Sequence, residues 1–191
     1  MLKQLKIAIS ITLVLTLITG FIYPMLVTVF AQIFFPHQAN GSLVVYNNKT
    51  IGSKLIGQNF EDAKYFHSRP SESNYDATRS GGSNLGPTSK KLINHINALA
   101  MNLRRENPNK MIPLDLASSS ASGLDPHITP EACEFQIPRI AKTRKIPEDK
   151  VRNLVRKNLE NRQFGILGEP RVNVLSLNLE LDQVFSKSIN E

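Results

Sequence analysis

From Ile7 to Phe35 the chain runs for 29 residues without one charged side chain. A bilayer core is about 30 Å thick, and a helix needs roughly 20 apolar residues to cross it. The apolar region of a secretory signal is shorter, about 7–15 residues. The run therefore reads as a retained membrane anchor. Val29-Phe30-Ala31 has the form of a cleavage site and carries the alternative, removal of the segment. Lys3 and Lys6 precede the run, and the next Lys or Arg is Lys49. Short cytoplasmic flanks carry the Lys/Arg excess. The expected organisation is thus a cytoplasmic stretch at 1–6, a transmembrane anchor at 7–35 and an extracytoplasmic domain at 36–191, in a single-pass protein of the cell (inner) membrane.

The anchor has a pattern of its own. Ala8, Thr12, Thr16, Gly20, Pro24 and Thr28 recur at every fourth position, which places them on one i+4 ridge. Small residues admit a neighbouring backbone and Thr hydroxyls bond across helices. Ala8, Thr12, Thr16 and Gly20 are the expected contacts with a partner helix, and Pro24 is expected to kink the helix or mark its exit.

The net charge is +7, of which +5 remains once Lys3 and Lys6 are set aside. An exported domain meets little nucleic acid, so no nucleic-acid partner is expected; anionic headgroups or an acidic protein face suit the charge. The basic run Arg139 to Lys145 reads as a solvated helix face. The single cysteine, Cys133, forms no intrachain disulfide and reads as a small apolar residue on a helix.

Beyond the anchor, Ser42 to Tyr46 and Lys49 to Ile51 read as a hairpin turned at Asn47-Asn48. Residues 66–89 form a long polar loop punctuated by glycine and anchored by Tyr65, Phe66 and Leu85. A helix starting at Pro87 or Ser89 carries the stripe Leu92, Ile93, Ile96, Leu99 and Leu103. Ile112 to Leu116 is a short strand or extended link. Thr129 caps a helix whose first residue is Pro130, running toward Lys145 with Pro138 as a kink. Pro147-Glu148-Asp149 opens another. After the turn-rich stretch 165–170, Arg171 to Asn178 alternates as a strand and Leu179 to Phe185 closes with a helix. The fold class is α+β, with one transmembrane helix ahead of a single domain.

Three chemistries compete for the polar loops. Ser118, Ser119 or Ser120 with Asp125 and His127 has the residue types of a hydrolase, but no Gly-x-Ser-x-Gly elbow. Asp125 and His127 are too few for a metal site, and His37, His67 and His95 lack helpful spacing, so no metal is expected. Ser80-Gly81-Gly82-Ser83 leads toward a helix and can form an anion nest, a weak nucleotide-binding candidate without the Lys of a P-loop.

The motifs Gly52-Ser53-x-Leu55-Ile56-Gly57-Gln58-x-Phe60, Phe66-x-x-Arg69-Pro70-Ser71 and Ser80 to Thr88 resemble the C subunit of the Kdp potassium-transporting ATPase, the KdpC family. So do Ala121 to Ile128, Arg139 and Gly168 to Leu175. Ser89, Ser119, Ser120 and Thr129 depart mildly from the pattern. The resemblance spans nearly the whole chain in the family's order. It implies a non-catalytic assembly and regulatory subunit of a high-affinity, ATP-driven potassium uptake pump. The implied partners are a channel-like potassium-translocating subunit, a P-type ATPase subunit and a small membrane subunit, besides the lipid bilayer. It also implies a role as catalytic chaperone, raising the ATP affinity of the ATPase subunit. ATP is cytoplasmic, so such an effect would pass through the anchor, with ATP bound by the ATPase subunit. Arg69 and Leu85 join the anchor ridge as expected partner contacts. The alternative is an anchored hydrolase using Ser119, Ser120, Asp125 and His127.

Overall fold

In the computed structural model, which describes residues 1–46 and 48–185, the chain divides into two compact units, Met1–Ser53 and Lys54 onward. The first is a helix and a hairpin. A continuous helix of 33 residues spans Leu2–Phe34, with a mean hydropathy of 2.2 over an 18-residue window and no residue buried within the chain. It consists of α1 (Leu2–Leu17), a π-helical turn (Ile18–Ile22) and α2 (Tyr23–Phe34).

Pro24 accounts for the turn. Its ring has no N–H and would clash with the carbonyl four residues back, that of Gly20. The backbone widens instead, and the Tyr23 N–H bonds to Ile18 O, five residues away. The expected kink is thus a π turn, and the helix continues ten residues past Pro24. On an α-helix each i+4 step overshoots a full turn by about 40°. A wider turn takes back part of that drift, which keeps the small-residue ridge on one side for longer. The Thr28 hydroxyl bonds within its own helix, to Pro24 O at 2.8 Å.

A one-turn helix, α3 (Pro36–Ala39), leads to the hairpin of β1 (Leu43–Tyr46) and β2 (Lys49–Ser53), antiparallel with an irregularity at Val44/Val45. Asn48 takes the expected positive φ, +61°; Asn47, its expected partner in the turn, lies outside the described residues.

The second unit is the α+β region. It comprises α4 (Lys90–Glu106), α5 (Leu114–Ala117), β3 (His127–Ile128), α6 (Pro130–Arg144), α7 (Glu148–Lys157), β4 (Leu159–Glu160), β5 (Arg171–Asn173) and α8 (Val174–Phe185). The strands form an antiparallel sheet in the order β3-β5-β4. The core lies among α6, α7, α8 and β5 and is built from residues such as Phe135, Ile137, Ile140, Val151, Val172 and Leu181, each at most 2% exposed. Thr129 caps α6 by accepting the Ala132 N–H at 3.2 Å. Pro138 sits inside that helix, and Cys133 is buried on it.

Two elements depart from the sequence expectation. Residues 114–117 form a helical turn rather than a strand, because Pro113 holds an extended conformation and starts it. The strand at Arg171 stops at Asn173, not Asn178. The Asn173 side chain accepts the Ser176 N–H at 3.1 Å and donates to Lys54 O at 2.9 Å. It caps α8 as a helix N-cap does, and the alternation at Val174-Leu175-Ser176-Leu177 belongs to a helix.

Residues 54–89 hold no helix or strand, yet the segment is tied to the core by side chains from distant helices. Phe66 is fully buried. Its N–H donates to Asn178 Oδ1 at 2.8 Å and its carbonyl accepts from Asn178 Nδ2 at 2.9 Å. Gln136 repeats this on His67, with bonds of 2.8 and 3.2 Å. Two buried carboxamides thus satisfy the backbone as a neighbouring strand would.

The basic run is a solvated face only in part: Lys142 and Lys145 are exposed, whereas Arg139 and Arg144 are not. The Arg139 side chain, 13% exposed, donates to the carbonyls of Ala63 and Tyr65, to Gln136 Oε1 and to Glu106. The Arg144 side chain, 6% exposed, donates to Lys64 O and pairs with Asp182 at 2.6 Å. The Tyr65 hydroxyl donates to the other oxygen of Asp182 at 2.7 Å. Burial and then that bond push the phenol up to about 12.

Candidate functional site

The motif loops converge on residues 120–125. The Gly57 N–H donates to Leu124 O at 2.7 Å, and the Gly81 N–H donates to Ser122 O at 2.8 Å. Ser80 Oγ also donates to Ser122 O, at 3.0 Å. Ser71 Oγ donates to Gly123 O at 2.6 Å and accepts the Tyr75 N–H at 2.9 Å. These contacts need glycine. A Cβ on Gly57 would lie 2.6 Å from Asp125 O, one on Gly82 would lie 2.9 Å from Ala121 O, and one on Gly123 would lie 2.7 Å from Gly81 O. Gly123 is also at φ +68°, a region open to glycine at little cost.

Within the Ser80-Gly81-Gly82-Ser83 candidate, the Gly81 N–H therefore faces a carbonyl of its own chain. Ser83 Oγ accepts the Leu85 N–H at 3.4 Å. The segment packs against residues 121–123 rather than forming an open nest, and Leu85 is half-buried.

The candidate hydrolase residues are spread over different partners. Ser118 Oγ donates to Leu114 O at 2.8 Å, Ser119 Oγ to Glu72 Oε1 at 2.9 Å, and Ser120 Oγ lies 3.5 Å from Ser122 Oγ. Among the described residues no hydrogen bond joins any of these serines to His127. Glu72, which the sequence reading did not single out, also lies 3.9 Å from His95.

Asp125 and His127 instead line a cleft of about 480 Å³ in which Arg69, Asp115, Glu169 and Arg171 sit beside the apolar Leu114, Ile128 and Pro170. Arg69 Nη1 donates to Asp125 Oδ2 at 3.1 Å, while Asp125 Oδ1 accepts the His127 backbone N–H at 3.0 Å. Among the described residues Arg69 Nε is buried without a hydrogen-bond partner. Burial holds His127 below the usual imidazole range, and Arg171 acts in the same direction against Glu160 and Asp125. His67 is lowered by burial and by Arg139. Among the described residues no group of three or more His, Cys, Asp or Glu side chains forms a metal cluster. Asp125 is held by Arg69 and by the backbone of its own loop.

These two histidines make a pH prediction. Each binds its proton less readily in the folded chain than in the unfolded one. The unfolded state therefore takes up more protons as pH falls below about 6.5. Stability is expected to be full above that pH and to drop as pH passes down through the lowered folded values. His67→Gln with His127→Gln should flatten the fall between pH 6.5 and 5 in denaturant titrations. An unchanged slope would refute it.

The chain as a whole is similar to known proteins. A family model described as KdpC, K⁺-transporting ATPase, c chain, matches residues 5–183. The chain belongs to the KdpC family. A relative named potassium-transporting ATPase KdpC subunit, from Bradyrhizobium diazoefficiens, is 51% identical over 98% of this chain and all of its own length. Relatives with the same name from Koribacter versatilis and Methylobacterium nodulans are 49% and 47% identical. They cover 94% and 98% of this chain, and 94% and 100% of their own lengths. Within this KdpC chain, Arg69 and the Asp125-Pro126-His127 and Glu169-Pro170-Arg171 motifs meet in the cleft, whereas Gly57, Gly81, Gly82 and Gly123 meet in the loop packing.

Proposed function

We propose that this chain is a non-catalytic assembly and regulatory subunit of an ATP-driven potassium uptake pump. The observation that carries the reading is the KdpC match over residues 5–183. It is supported by a 33-residue helix, uncharged from Ile7 on, none of whose residues is buried by the chain itself. In this reading the helix crosses the cell membrane, with residues 1–6 cytoplasmic and the region beyond 36 outside. It packs against the channel-like, P-type ATPase and small membrane subunits through Ala8, Thr12, Thr16 and Gly20. Arg69 and Leu85 contribute contacts outside the bilayer. The chain raises the ATP affinity of the ATPase subunit through its anchor, without itself holding the nucleotide at Ser80 to Ser83.

The anchor ridge gives the test. A Cβ on Gly20 meets only Thr16 Cγ2, at 3.9 Å, so Gly20→Leu leaves the isolated helix intact. Against a close partner helix it overpacks, at about 1–3 kcal/mol. The variant is expected to reach the membrane and to lose much of its co-purification with the pump subunits. Leu85→Asp should weaken recovery as well. Full recovery of the complex with Gly20→Leu would turn the ridge toward lipid. Saturable ATP binding by the full chain in detergent, abolished by Gly82→Val, would restore a direct nucleotide role.

A further inference from the structure

The turn between β4 and β5 carries side chains that the domain does not use. Phe164, Ile166 and Leu167 are 92%, 76% and 55% exposed. The turn beneath them is well built. Gln163 and Leu167 exchange both N–H···O bonds at 2.9 Å, and the Gly165 N–H donates to Arg162 O at 3.1 Å. Phe164 sits at φ +53° and Gly165 at φ +77°. A bulky residue is disfavoured in the left-handed region. Here the conformation presents the ring to solvent, so nothing inside the domain compensates it.

We propose that this turn dips into the interfacial layer of a lipid bilayer. Three observations select lipid. The apex, Phe164-Gly165-Ile166-Leu167, offers no polar side chain for a partner protein to match, whereas apolar side chains alone suffice for the headgroup–acyl boundary. The base is basic: residues 156–171 carry four Lys and Arg against two Glu. The side chains of Arg162 and Arg171 pair with Glu169 and Glu160 yet remain 45% and 37% exposed. Their stems can lie along the apolar layer with the guanidinium groups at lipid phosphates. Lastly, the same chain carries a helix long and apolar enough to cross a membrane, and tethering raises the effective concentration of the surface met by the turn. The inference draws on membrane anchoring, not on the transport role.

The test uses the full chain in vesicles of phosphatidylcholine and phosphatidylglycerol. A polarity-sensitive fluorophore is placed at Ile166→Cys, with Cys133 buried. Emission is expected to be blue-shifted, strongly quenched by shallow spin-labelled lipid, and several-fold less accessible to iodide than the same label at Arg104→Cys. Phe164→Asp with Leu167→Asp should restore iodide access with an unchanged circular dichroism spectrum, since neither side chain lies in the core. A label at Leu15→Cys reports anchoring by itself. Lipid quenching at position 15 with full iodide quenching at position 166 overturns the proposal and leaves anchoring intact. Protection at 166 that appears only when other pump subunits are present also overturns it, in favour of a protein contact.

Discussion

Gly123→Ala is expected to destabilise the chain by about 2–5 kcal/mol, the sum of left-handed strain and overpacking. A control separates the two parts. Gly168 has φ +77° but nothing within 4 Å of an added Cβ, whereas at Gly123 that atom would meet Gly81 O at 2.7 Å. Gly168→Ala should therefore show the strain alone, about 1–2 kcal/mol. Gly57→Ala gives the complementary case: no positive φ, but backbone at 2.6 Å, so overpacking of about 1–3 kcal/mol. Urea titrations of the full chain in detergent measure all three. Equal losses for Gly123→Ala and Gly168→Ala would mean that the loops adjust and that the close approach has no energetic weight.

Asn178→Leu is expected to cost about 2–5 kcal/mol. Asn178 is 2% exposed and Phe66 is fully buried. Removing the carboxamide strands the Phe66 N–H and C=O together, and each unsatisfied buried group costs about 1–3 kcal/mol. The added apolar side chain does not offset this, because the carboxamide is bonded in the space it fills. Hydrogen exchange locates the effect: the Phe66 amide should lose protection before the amides of α6 do. A loss below about 1 kcal/mol would show that the loop backbone finds other partners. Gln136→Leu should act similarly at His67 and also free Arg139 Nη2, which donates to Gln136 Oε1 at 2.8 Å.

What was legible in the sequence is what repeats locally. The uncharged run, the apolar stripe of α4, and the proline-led starts of α6 and α7 each announce themselves within a few residues. The strand ending at Asn173 was misread because Val172-Asn173-Val174 and Leu175-Ser176-Leu177 each alternate over a short window, while the capping bond that starts α8 is not a periodic signal. Arg139 and Arg144 looked solvated because their acceptors are carbonyls of residues 63–65, which composition does not register. The π turn follows from Pro24 only once the helix is known to continue. For the candidate site, the motif glycines were visible as punctuation, but not that Gly57, Gly82 and Gly123 let separate loops touch. The bond from Ser119 to Glu72 spans 47 residues and left no local trace.

The manner in which residues 54–89 are held also sets an order of events. Phe66 waits on Asn178, 112 residues later, His67 on Gln136, 69 later, and Tyr65 on Asp182, 117 later. With no helix or strand of its own, this stretch packs on residues 122–124 and Gln136 first, and Tyr65 and Phe66 are held only once α8 has been synthesised. It emerges from the ribosome early in the domain and becomes fixed at the end. Pairings of such sequence separation form slowly, and an unpaired polar stretch aggregates less readily than exposed apolar strands would. A chain truncated before Asn178 should therefore leave the backbone around Tyr65 and Phe66 open to proteases even where α6 and α7 have formed.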